Sequence, residues 1–230
     1  MPLGPDDIDT ITFDSFSTLV FEMKSLTDAL KGYTDDPLEV ASMWRQRAVL
    51  YTLFANFFDD YETYYQMHRY GLEYALEYHD IDATAEDMDE LNETFYNLKP
   101  FEDVDVIEQL DNAGYDTYII SNGDPAMLDG LLETTAIGPH INDTVSADEI
   151  KTFKPDSEIY ELASERASSL PERMIHVSAG LFDVQGAQNI GMNGCWLNRK
   201  TVPFFSQQDP YGEQPDLIIE SLNEIADWFC

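Results

Sequence analysis

The sequence predicts an α/β fold: a doubly wound parallel sheet with an all-helical insertion after its first strand. Three observations predict it. Residues 8–14, Ile-Asp-Thr-Ile-Thr-Phe-Asp, alternate apolar and polar side chains and are rich in β-branched residues, the pattern of a strand ending at Asp14. After Lys99-Pro100, strand-like and helix-like segments alternate, as parallel strands joined by crossover helices require. Between these parts, from about Ser25 to about Leu98, the apolar residues keep a helical rhythm.

The elements follow in order. Over residues 38–58, Val40, Met43, Trp44, Ala48, Tyr51, Phe54, Ala55 and Phe58 fall on one helical face. Residues 61–79 read as a Tyr-rich second helix. Thr84 with Asp87 forms a capping box for a third, whose buried stripe is Met88, Leu91, Phe95 and Leu98. A helix over 103–113 stops at Gly114, and a strand over 115–120 runs into Ser121-Asn122-Gly123. Another helix starts at Asp124-Pro125, and further strands are expected at 174–178, 194–198 and 216–219. Residues 1–20 and 99–230 then form the core, and residues 21–98 a helical cap. Ligands of such sheets bind beyond the carboxyl ends of the strands, the edge an inserted lobe would cover.

Composition narrows the function. The 230 residues hold 45 Asp plus Glu against 12 Lys plus Arg, a net charge of −33. That excludes a free nucleic-acid binder and disfavours an anionic membrane surface. Hydrophobic residues at 43% and aromatics at 13% provide for a packed core rather than disorder. The acids are spread along the whole chain, which predicts a halophilic, haloarchaeal source. At about 1 M salt the Debye length is about 3 Å, and self-repulsion is screened. The two cysteines, Cys195 and Cys230, make no disulfide framework. With no signal-like segment and no apolar run of about 18 residues, the expectation is a cytoplasmic protein.

Four groups stand at predicted strand ends or in the loops beyond them: Asp14, Ser121-Asn122, Lys154, and Ser178 with Asp183. A carboxylate, an ammonium and several hydroxyl or amide donors on one edge make a candidate site. Arg45 lies on an inserted helix among aromatics, where it must meet an anion or keep its head in water. The anion is either a ligand or one of the chain's many acids. Histidines 68, 79, 140 and 176 lack metal-ligand spacing and read as structural or exposed. Cys195 reads as a buried strand thiol.

Phe13-Asp14-Ser15-Phe16-Ser17-Thr18-Leu19 resembles the first motif of the haloacid dehalogenase superfamily. Ile119-Ile120-Ser121-Asn122-Gly123 is similar to its second, and Lys154-Pro155-Asp156 with Ile159-Tyr160 to its third. Val177-Ser178 through Asp183 is similar to its fourth. Met43-Trp44-Arg45-Gln46 and Leu98-Lys99-Pro100-Phe101 resemble the L-2-haloacid dehalogenases in particular. The resemblance implies a Rossmann-like core with a helical cap, and hydrolysis of short L-2-haloacids to 2-hydroxy acids. Asp14 would attack C2 in an SN2 displacement, and water would then cleave the aspartyl ester. Lys154 would polarise Asp14, with Thr18, Ser178 and Asp183 supplying the surrounding hydrogen bonds and Asp183 orienting the water. Arg45 and Asn122 would receive the halide, with Gln46 beside them. Ser121 and nearby amides would hold the substrate carboxylate. Phe16, Phe58 and Phe182 would wall out water, and Tyr160 would support the site. The resemblance also implies a homodimer and no cofactor.

Phosphatases of that superfamily hold Mg²⁺ with an acid two residues after the nucleophile and another four before the last motif acid. Those places hold Phe16 and Ala179 here. A halide leaves without a proton, so these absences fit dehalogenation. One departure is Gly180, where the dehalogenases typically carry an asparagine that frames the active site. A phosphatase-like hydrolase and a weakly active protein that binds small anions are the alternatives.

Overall fold

The computed structural model describes residues 3–199 and 214–230. Six strands form one sheet: β1 (Thr10–Phe13), β2 (Asp116–Ser121), β3 (Asp143–Ser146), β4 (Met174–Ser178), β5 (Asn193–Leu197) and β6 (Leu217–Ile219). Every pairing is parallel, in the order β3-β2-β1-β4-β5-β6. The two halves wind outward from β1 and β4, so the switch point lies between those strands. All residues of both are buried. Successive side chains point to opposite faces, so both faces are covered, as the expected doubly wound class requires.

Between β1 and β2 lie α1 (Glu22–Ala29), α2 (Pro37–Phe58), α3 (Tyr64–Tyr78) and α4 (Ala85–Asn92). Asp36 caps α2 and Thr63 caps α3, each accepting from an amide of the first turn. Thr84 and Asp87 form the reciprocal capping box of α4. Where α2 crosses α3, a Cβ on Gly71 would lie 2.6 Å from the Trp44 carbonyl oxygen. Only glycine permits that approach, and Trp44 Nε1 donates to the His68 carbonyl at 2.8 Å across the same seam.

After β2 come α6 (Pro125–Thr135), α7 (Ala147–Ile150), α8 (Ser157–Ala167), α9 (Leu181–Asn189) and α10 (Asn223–Phe229); α5 (Val106–Ala113) precedes β2. Helix α5 ends at Gly114, whose φ of 100° is the left-handed conformation expected of a C′ glycine. Among the described residues no helix is long and apolar enough to cross a membrane.

Some expectations are corrected. The buried line of α2 is Val40, Ala41, Trp44, Ala48, Thr52 and Ala55. Phe54 and Phe58 sit off that line and are 46% and 68% exposed. Helix α4 stops at Asn92, and a short 3₁₀ turn, Glu93–Tyr96, buries Phe95 instead. The sequence pattern missed β3 and α7, because an edge strand of four residues with two of them buried has no periodicity to read.

Candidate active site

Register positions the centre. Phe13 pairs with Ile119 of β2 and Val177 of β4. Asp14 N–H donates to the Val177 carbonyl at 2.9 Å, so Asp14 stands one step past the strand at the switch point. The following turn places Ser17 at φ 65°, uncommon for a residue other than glycine. Thr18 Oγ1 donates to Asp14 Oδ2 at 2.7 Å and accepts from Ala179 N–H at 2.9 Å. Arg199 Nη2 fixes the Thr18 carbonyl at 3.0 Å.

Lys154 is 3% exposed, and its ammonium bridges two acids: Asp14 Oδ1 at 3.0 Å and Asp183 Oδ2 at 2.9 Å. Its backbone N–H donates to Asn122 Oδ1 at 2.8 Å. One residue earlier, Asn56 at the end of α2 pairs with both backbone groups of Phe153, at 2.6 and 2.8 Å. Asp183 also accepts from Tyr160 OH at 2.6 Å, and His176 Nε2 lies 3.0 Å from its Oδ2. His176 Nδ1 meets Thr12 Oγ1 at 2.8 Å.

Burial, assisted by the nearby Asp183 charge, pushes the Asp14 carboxyl above its ordinary range, while Lys154 and Thr18 pull it back. Burial works against the charge of Asp183 too, but Lys154, His176 and Tyr160 hold it far below the usual range. Burial likewise opposes the charge of Lys154, and its two carboxylates outweigh this and raise it. The cluster is a nucleophile candidate, a buried carboxylate paired with a lysine counter-ion. Each of its carboxylate oxygens already accepts from a protein donor. Phe16, where a magnesium-binding acid would stand, stacks on Tyr64 at 5.3 Å and meets Phe95 edge-on at 5.8 Å. Among the described residues no group of His, Cys, Asp or Glu is placed to hold a metal ion. This donor set does not fit Mg²⁺, which wants several carboxylate oxygens.

The structure brings Asp14, Lys154, Asp183 and Thr18 into one hydrogen-bonded unit, with Tyr160 supporting Asp183. Ser178 does not join that unit: its Oγ accepts from Gly180 N–H at 3.0 Å and shapes the loop. The Ser121 hydroxyl is engaged with Ser15 at 2.6 Å and Gly123 N–H at 2.9 Å. Asn122 is tied by its oxygen, which leaves its amide nitrogen as that side chain's donor. Three expected site residues lie outside the hydrogen-bonded unit. Gln46 is exposed. Phe58 packs on Phe54 and Phe57 and is too exposed to be a buried wall. Phe182 is 37% exposed beside Gly180.

Arg45 forms an ion pair: its Nε donates at 2.7 Å to Oε2 of Glu22, which is buried at the start of α1. The sequence reading missed Glu22, His176, Asn56 and Arg199. A signal existed for His176, which lies two residues before Ser178 on the same face of β4 and pairs in register with Thr12. Nothing local marked the others.

Fold and cluster together define an α/β enzyme built around a charged carboxylate. Residues 8–191 match the haloacid dehalogenase-like hydrolase family, and the chain belongs to it. It is 26% identical over 226 residues to the (S)-2-haloacid dehalogenase of Pseudomonas sp. (strain YL), covering 97% of this chain and 95% of that one. It is 29% identical over 221 residues to (S)-2-haloacid dehalogenase 1 of Pseudomonas sp. (strain CBS-3), with 96% of each covered. The fold superposes on the L-2-haloacid dehalogenase of Xanthobacter autotrophicus with chloropropionic acid covalently bound. That match has a TM-score of 0.87 at 22% identity, over 96% of this chain and 97% of the other.

Proposed function

We propose that the protein is an (S)-2-haloacid dehalogenase that works through an aspartyl ester. The observation that carries the reading is the Asp14 carboxylate held at both oxygens, by Lys154 at 3.0 Å and Thr18 at 2.7 Å. A carboxylate is a weak nucleophile in water, so it must be stripped of water and aimed. Relatives of known activity over nearly the whole chain supply the substrate class.

Asp14 forms a C–O bond to C2 as the carbon–halogen bond breaks and halide leaves with its electron pair. Water then adds to the ester carbonyl, the 2-hydroxy acid departs, Asp14 is regenerated, and one proton goes to solvent. Lys154 keeps Asp14 ionised. Asp183, saturated by donors, is too weak a base to take the proton and serves to hold Lys154. Arg45 and Asn122 receive the halide. Residues 1–20 and 99–230 act as the core and residues 21–98 as a cap over the switch point.

The finer setting is also proposed. The charge of −33 supports a halophilic source, and two free thiols support a cytoplasmic one. Exposed Phe54, Phe57 and Phe58 support a homodimer, checked by sedimentation. Far-UV circular dichroism below about 0.5 M salt should show reversible loss of structure. The mechanism is tested by a single turnover on L-2-chloropropionate in ¹⁸O-water, with mass analysis of the Asp14 peptide. Label in that carboxylate is expected. Halide release without label would overturn the ester.

A further inference from the structure

Glu22 is a buried acid that the proposed reaction leaves without a role. Its side chain is 1% exposed. Oε2 accepts from Arg45 Nε and from the Ser17 hydroxyl, both at 2.7 Å. Oε1 is also buried and has no hydrogen-bond partner among the described residues. Ser17 lies between Phe16 and Thr18 in the left-handed turn that aims Asp14. Glu22 therefore joins the nucleophile turn to the helix that carries Arg45. A brace alone could use a neutral amide and would leave no buried carboxylate oxygen unmet.

We infer that Glu22 is a positioning residue that weakens the anion affinity of Arg45, so that halide leaves and ambient halide does not accumulate there. The inference rests on the dehalogenase reading. Among the described residues Glu22 pairs with Arg45, and Asp14 and Asp183 pair with Lys154. Neutralising Glu22 makes the surroundings of Arg45 more positive by one charge. At partly buried sites such a charge acts strongly on a bound anion.

The test is Glu22→Gln, which removes the charge and keeps the shape. Bromide is titrated against fluoride at constant ionic strength. Thermal unfolding reports binding, and inhibition of chloride release from L-2-chloropropionate reports occupancy of the site. Bromide affinity should rise roughly tenfold, with KM and kcat both falling because product leaves slowly. Unchanged or weaker bromide binding in the folded variant overturns the inference. If Glu22→Gln does not fold, Glu22→Asp carries the test by withdrawing the acid one methylene. Severalfold tighter bromide binding is then expected, and no change overturns the inference. The unfolding arm needs no turnover. A wild-type protein that released no halide from any 2-haloacid would defeat the dehalogenase reading, and bromide binding would still decide the role of Glu22.

Discussion

Oδ2 of Asp183 is shared by two side chains, Lys154 Nζ at 2.9 Å and His176 Nε2 at 3.0 Å. An ionised carboxylate only accepts, so Nε2 of His176 must carry a hydrogen. Its Nδ1 lies 2.8 Å from the Thr12 hydroxyl, which itself reaches the Ile175 carbonyl at 3.3 Å. His176→Leu removes a donor from a buried charge and should destabilise the fold by about 1–3 kcal/mol. Urea midpoints measure this, and halide release should slow as Lys154 loses its fixed anchor. A midpoint equal to wild type would remove His176 from the network.

Lys154→Met should be the most damaging of these changes. It leaves two buried carboxylates without their cation, a loss of about 3–5 kcal/mol. The sign of its pH dependence is distinctive. Without the ammonium, burial and the Asp183 charge hold Asp14 still higher than in wild type. The folded variant then keeps a proton that the unfolded chain gives up above about pH 4, so the variant gains stability as pH falls and loses it as pH rises. Denaturation midpoints at pH 8 and pH 5 should therefore separate variant from wild type most at the higher pH.

Thr18→Val tests the electrostatics of the nucleophile at nearly constant volume. The Thr18 hydroxyl lowers the Asp14 pKa, and burial already raises it. Losing the donor should move the acid limb of kcat/KM for halide release to higher pH. An unmoved limb would mean that it reports another group.

His68 predicts an acid-side slope in stability. Burial pushes its imidazole down to about 3, and neither ring nitrogen has a partner among the described residues. The folded state refuses a proton that the unfolded chain accepts below about pH 6.5. The contribution is full above that pH and is lost toward pH 3, at up to about 1.4 kcal/mol per unit. His68→Leu should flatten that part of the curve and cost little at neutral pH, since it removes unmet polar atoms. Unfolding midpoints at pH 7.5 and 5, compared with wild type, measure the difference.

How much of this could be read from the sequence depended on the length scale of the signal. β1, β2 and β4 announced themselves by alternating or apolar runs and Asp14 by its place just past a strand, whereas Lys154 and Asp183, in a loop and on a helix, were marked by motif resemblance. Capping chemistry marked Thr84 and Gly114. Glu22 and Asn56 gave no such sign, because each matters through a partner 23 or 97 residues away. Phe58 misled for the opposite reason: an apolar residue at helical spacing reads as buried, and only packing shows which flank of α2 faces solvent.

The pairing of Asn56 with both backbone groups of Phe153 bears on attempts to shrink the protein. The insertion is stitched to the residue next to Lys154. Excising residues 21–98 would leave a peptide unit unpaired and the neighbouring ammonium loosely tethered. The insertion is therefore no detachable module, and a minimal catalyst cannot be made by trimming the chain to its sheet.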